Sequence, residues 1–154
     1  MLFRSAREPL AEAARLLGAR RAVVVSGRVG ADDATAFDEV SLFGPTDVID
    51  VTPAGLHRFR WTPEHFGIAT AKAETLADLR VSGPDESAAA IRAVLGGERG
   101  PRRDVVVLNA AAVLWAAGRA ADEPAARTLA ERAVDSGAAA TLLERFAALS
   151  RSST

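Results

Sequence analysis

With 154 residues, 49% apolar and 25% charged, the chain has the proportions of one globular domain rather than of a disordered segment. No apolar stretch reaches the roughly 18 residues that span a bilayer, and no apolar run follows the charged N-terminus as in a secretory signal, so a cytoplasmic protein is expected. The lack of cysteine excludes disulfides and thiolate zinc sites, and a net charge of −1 argues against a nucleic-acid partner that presents many phosphates.

Ser5 and Glu8 stand three apart before an apolar run, the spacing of a capping box, and Leu10, Ala13, Ala14 and Leu17 follow at helical spacing until Gly18. Ala22-Val23-Val24-Val25, closed by Gly27, reads as a buried strand. A helix leading into such a strand predicts a parallel sheet. Residues 28–38 are polar and read as a loop. Val48–Val51 and Leu56–Trp61 flank the turn Thr52-Pro53-Ala54-Gly55 as a hairpin, with His57, Phe59 and Trp61 on its inward face. Thr62-Pro63-Glu64 opens a short helical turn with Pro at its first position.

Gly83-Pro84 starts a helix whose inner face is Ala88, Ile91 and Leu95 and whose end is Gly96-Gly97. The apolar stretch from Asp104 to Ala117 is too long for a strand. It reads as a central helix over about 101–118, stopped by Gly118. Asp122 caps the next helix, with Ala126, Leu129, Ala130 and Ala133 inward. Ala139, Leu142, Leu143 and Phe146 form the inner face of the last. Residues 1–149 form one unit, and 150–154 should fray.

Few residues invite chemistry. His57 and His65 read as a sheet and a turn residue, and no G-x-S-x-G elbow accompanies them. Gly96–Gly100 lacks the Lys-Ser/Thr of a phosphate loop and follows a helix. Arg99, Arg102 and Arg103 read as a solvated basic loop, with an anion site as the alternative. Asp32, Asp33, Asp38 and Glu39 lie beyond the C-terminal end of the buried strand, where open α/β sheets bind ligands. Neighbouring carboxylates there suit Mg²⁺, although a polar surface loop has the same composition.

Four ordered motifs carry a resemblance to the anthranilate phosphoribosyltransferase family. Asp38-Glu39-Val40-Ser41-Leu42-Phe43-Gly44-Pro45-Thr46 resembles its D-E-x-S-x-x-G-P-T segment, and Thr62–Gly67 its T-P-E-x-F-G turn. Gly100–Asp104 through Leu108-Asn109-Ala110-Ala111-Ala112 resembles the segment before and within its helix of L-N-A-A type. Asp135-Ser136-Gly137-Ala138-Ala139 resembles its D-S-G-x-A step.

The resemblance implies the C-terminal portion of a phosphoribosyltransferase and nucleoside-phosphorylase type of α/β fold: a partial parallel sheet, a hairpin and several packing helices. It implies transfer of phosphoribose from phosphoribosyl pyrophosphate to anthranilate in tryptophan synthesis. It makes Asp38 and Glu39 the metal ligands and Mg²⁺ the cofactor. The family's G-T-G-G-D segment does not occur in these 154 residues, so a truncated chain, inactive alone and completed within a homo- or hetero-oligomer, is expected. A non-catalytic interaction subunit, a nucleic-acid-binding relative and a nucleoside phosphorylase are the alternatives.

Overall fold

The computed structural model describes the backbone of residues 2–30 and 36–152 and the side chains of residues 6–30 and 36–151. Helix α1 (Leu2–Leu16) precedes strands β1 (Ala22–Arg28), β2 (Ala36–Phe37), β3 (Thr46–Thr52) and β4 (Gly55–Trp61). Helices α2 (Pro84–Leu95), α3 (Pro101–Ala116), α4 (Glu123–Asp135) and α5 (Ala138–Ser152) follow. Between β4 and α2 lie two 3₁₀ segments, Pro63–Phe66 and Ala73–Leu79.

The expected α/β architecture is present, but the expected parallel pairing is not. The strands lie in the order β2-β1-β3-β4, and every described pair is antiparallel. Parallel neighbours need a crossover connection, usually a helix. β1 is joined to β3 through β2 and the Asp38–Pro45 loop, with no helix among the described residues between them. The α1-to-β1 order was legible, yet a helix before a strand does not set the direction of that strand's neighbours.

The hairpin holds as expected, with Val48 opposite Phe59, Val51 opposite Leu56, and Gly55 at φ +133° in the turn. Alternation then separates two faces. On one, Ile49 and Val51 pack with Val24 and Leu56 beneath Ala11 of α1. On the other, Val48 and Trp61 meet Phe66, Leu108, Ala111, Ala126 and Ala130. Trp61 centres this larger core. Its ring lies 5.1–5.3 Å from those of Trp115, Phe66 and Phe59, all edge-on, and its indole N–H donates to Glu123 at 2.9 Å. Small residues on α3 and α4 let the helices approach closely, which offsets a low aromatic content.

Arg21 ties the sheet to the end of α3. Its guanidinium donates twice to Asp50, at 3.0 Å each, and stacks 3.9 Å over the Trp115 ring. The turn after β4 forms as read. Pro63 opens it, Gly67 closes it at φ +68°, and Thr70 donates to Glu64 from both its N–H and hydroxyl. Those bonds, the Thr70 hydroxyl's foremost, hold the Glu64 carboxyl down at about 2.

Helix starts and stops match the expected signals. Asp122 caps α4 by accepting from the Ala125 N–H at 2.8 Å, and Gly118 adopts φ +66° after α3. The helix start expected at Ser5 lies inside α1, which already begins at Leu2. α5 continues through Ser152, into the segment expected to fray.

Several helix faces are turned differently from expectation. α1 buries Ala11 and leaves Leu10 exposed, as is Leu17 in the turn after it; α2 buries Val94 rather than Ile91. The stripe Leu142, Phe146 and Leu149 of α5 faces solvent, Phe146 at 68% exposure. α3 is buried along Val107, Leu108, Ala111 and Ala112 but exposes Val106 and Val113. Helical spacing reveals an apolar stripe and is silent about what covers it. The side of β1 away from β3 is likewise paired only at Gly27 and Arg28 among the described residues, leaving Ala22–Ser26 as an open edge.

Such surface has an expected consequence. Size-exclusion chromatography with light scattering at micromolar concentration should show self-association, together with binding of an apolar dye. A dye-silent monomer would count against these faces being available for association.

Candidate functional site: the acidic loop between the second and third strands

Ser41, Gly44 and Thr46 of the Asp38–Thr46 loop each have a mechanical task. The Ser41 hydroxyl donates to the Arg28 carbonyl at 2.6 Å and accepts from the Phe43 N–H at 3.0 Å. The Thr46 hydroxyl accepts the Ser41 N–H at 2.9 Å. Ser41 and Thr46 are buried, so these bonds satisfy groups that water cannot reach. Gly44 lies against the chain leaving β1: a Cβ there would sit 2.7 Å from the Gly30 carbonyl oxygen and 2.9 Å from that of Arg28. Gly27 plays the same part from the strand, since its Cβ would fall 2.6 Å from the Glu39 carbonyl oxygen. Two glycines thus let the acidic loop fold flat onto the end of β1.

The loop presents Asp38 and Glu39 side by side, both exposed. Asp38 opens on a groove of about 370 Å³ between Ala6, Arg7 and Leu10 of α1 and Val23–Val25 of β1. Glu39 opens on a second groove of about 430 Å³, among Leu79, Val81, Ile91, Val94 and Val106, with Arg102 at its rim. Partial burial, and then the neighbouring Asp38 charge, push the Glu39 carboxyl up.

That mutual repulsion is what a bound cation relieves. Among the described residues no third His, Cys, Asp or Glu joins the pair to make a closed cage. Mg²⁺ commonly takes one or two protein carboxylates and fills its other positions with water and phosphate oxygens. Asp38 and Glu39 are donors of the type such an ion takes.

The other candidates fall elsewhere. Asp32 and Asp33 lie outside the described residues. His57 is exposed on β4, stacked near Phe59 at 5.3 Å, and the His65 ring accepts the Thr62 N–H at 3.0 Å. Of the three arginines, Arg99 lies exposed in the loop as expected, and Arg102 and Arg103 do not. Arg102 donates to the carbonyls of Asp78 and Arg80, and Arg103 is 2% exposed and ion-paired with Asp135 at 2.9 Å. Arg103 is buried because Pro101 starts α3 ahead of it, carrying it into the packed side of the helix.

Asn109 and Gly27 are residues of this loop's surroundings that the motif alone does not single out. A signal for Asn109 was present: it is a polar side chain inside an otherwise apolar helical run. It faces the loop. Its amide oxygen accepts the Val40 N–H at 2.9 Å, and its amide nitrogen donates to the Val40 and Val105 carbonyls, each at 3.0 Å.

The glycosyl transferase family, a/b domain, matches residues 2–140, and the chain belongs to it. Within that family the part-length resemblance to anthranilate phosphoribosyltransferases stands. The enzyme of that name from Hyphomonas neptunium is 45% identical over 117 residues, which cover 76% of this chain and 32% of the relative. That from Methylocella silvestris is 45% identical over 115 residues, covering 75% and 30%.

Among solved structures, the anthranilate phosphoribosyltransferase of Thermus thermophilus superimposes with a TM-score of 0.78 at 37% identity, over 96% of this chain and 40% of the other. The Saccharomyces cerevisiae enzyme in complex with PRPP and Mg gives 0.76 at 28% identity, over 91% and 38%. The chain therefore spans about a third of the length of the curated relatives it matches.

Proposed function

We propose that these 154 residues supply the acidic, metal-holding part of an anthranilate phosphoribosyltransferase. The observation that carries this reading is the Asp38–Thr46 loop, in which Ser41, Gly44 and Thr46 hold the stretch bearing two carboxylates against the end of β1. The reaction joins phosphoribosyl pyrophosphate and anthranilate into phosphoribosyl-anthranilate and releases pyrophosphate. Mg²⁺ bound by Asp38 and Glu39 would supply Lewis-acid stabilisation of the departing pyrophosphate.

The chain's own contribution is geometric and electrostatic. It places negative charge where the metal-diphosphate is to sit, on a loop pinned to a strand and a helix. The phosphate cradle and the anthranilate pocket come from the remaining length that the relatives possess. The completed protein is read as an oligomer acting in the cytoplasm.

Metal titration tests the assignment. Mg²⁺ alone should bind at about millimolar affinity or weaker, because the ion keeps its waters when only two carboxylates are offered. Asp38→Asn with Glu39→Gln should abolish that binding and leave the fold intact, since both side chains are exposed. If Asp32→Asn with Asp33→Asn abolishes it and the Asp38/Glu39 pair of changes does not, the metal assignment is wrong.

A further inference from the structure

We propose that Asn109 of α3 is a positioning residue for the Asp38–Glu39 pair, registering the acidic loop on the helix by a side-chain imitation of strand pairing. The inference rests on Asp38 and Glu39 being the metal ligands and goes beyond that reading by naming what aims them.

Val40 follows Glu39 directly, is 2% exposed, and has no strand partner. Its N–H and C=O both need hydrogen bonds away from water. The Asn109 amide satisfies the two together, donating and accepting with the polarity of a neighbouring peptide group. Its second amide hydrogen goes to the Val105 carbonyl one turn earlier in α3, which fixes the rotation of the amide plane.

Three bonds exhaust most of what an asparagine can make. The residue type is demanded by this arrangement. Aspartate would set a carboxylate against two carbonyl oxygens, and an aliphatic residue would orphan both groups of Val40. From the other side Gly27 allows the Glu39 carbonyl oxygen to approach the strand. The backbone carrying the two carboxylates is thus held between β1 and α3, one peptide away from the clamp.

Outer contacts that orient metal ligands commonly change affinity by about 10–100-fold when removed. Asn109 acts through the backbone rather than on a ligand atom, so about a tenfold loss is expected. The probe is Mn²⁺ alone, added to the isotope-labelled chain. Paramagnetic broadening of the Asp38 and Glu39 amides reports binding, and hydrogen exchange at the Val40 amide reports the clamp.

In the wild type, Mn²⁺ should broaden Asp38 and Glu39 and the Val40 amide should exchange with the core. Asn109→Ala should weaken Mn²⁺ about tenfold and release Val40 to exchange at loop rates. Val134→Ala, which removes buried volume from α4, a helix that lines neither groove, should lower stability with no change in Mn²⁺ affinity. Asn109→Gln, which keeps every polar group on a longer stem, serves if the alanine variant does not fold, with the same weakening expected.

Mn²⁺ affinity within twofold of wild type in the Asn109 variants would overturn the proposal, whatever their stability. If the wild type itself shows no broadening at Asp38 and Glu39, the metal assignment fails instead. The exchange rate of Val40 then decides the clamp on its own: unchanged protection in the Asn109 variants overturns it, and lost protection upholds it.

Discussion

No phosphoribosyl transfer is expected from these 154 residues by themselves. With anthranilate, phosphoribosyl pyrophosphate and Mg²⁺ present, anthranilate fluorescence should stay constant. A complete enzyme would consume it at about 1–10³ s⁻¹. Catalysis of a two-substrate transfer depends on holding both reactants in line, an effect of about 7–11 kcal/mol in well-oriented cases. The site found here offers two carboxylates on a loop and two open grooves. No G-T-G-G-D turn for the phosphates occurs in these 154 residues, and both grooves lie open.

Losing even two thirds of the orienting effect would slow the reaction by about 10³–10⁵-fold. Adding the remaining length of a relative in trans should restore turnover, and Asp38→Asn should then lower kcat. Turnover near about 1 s⁻¹ by the 154 residues alone would overturn this account of what they supply.

The second large effect is expected at Asp135, away from the acidic loop. Arg103 is 2% exposed, and its ion pair at 2.9 Å is with a carboxylate that is itself 45% exposed. Neither terminal guanidinium nitrogen has a well-aligned hydrogen bond to supplement that pair. Removing the anion leaves a buried charge without its counterion, which costs about 3–5 kcal/mol. Water reaching the Asp135 side draws the expected loss toward about 3 kcal/mol for Asp135→Asn.

Arg103→Met should cost less, because it removes the charge together with the need for a partner and keeps most of the buried volume. Urea unfolding monitored by circular dichroism checks the order. Against a domain stability of about 5–15 kcal/mol the first change is severe. If Arg103→Met proves the more damaging, packing rather than charge burial governs the junction of α3 and α4.

Apolar periodicity and helix punctuation in the sequence determined most of the elements: the long helix from Pro101, the hairpin around Gly55, the Asp122 cap and the Thr62-Pro63 turn. These depend on neighbours in the chain, on caps, turn residues and period, which a sequence displays directly. The family was legible for the same reason, because D-E-V-S-L-F-G-P-T is a local constellation. The structure shows why it is one: Ser41, Gly44 and Thr46 all bond to or press against atoms of that loop or of the strand end it covers.

Tertiary structure alone decided the rest. The strands pair antiparallel, and among the described residues no crossover helix joins β1 to β3. Which stripe of a helix is covered depends on what lies opposite, so Leu142 and Phe146 read as core and yet face solvent. Arg103 read as a loop cation and is buried, because burial of a charge follows from where α4 places Asp135. Asn109 stands 69 positions from Val40, and no local pattern announces that a helix side chain will complete the hydrogen bonding of a distant loop. Local physics wrote the elements and the acidic pair into the sequence; long-range packing chose the partners that aim them.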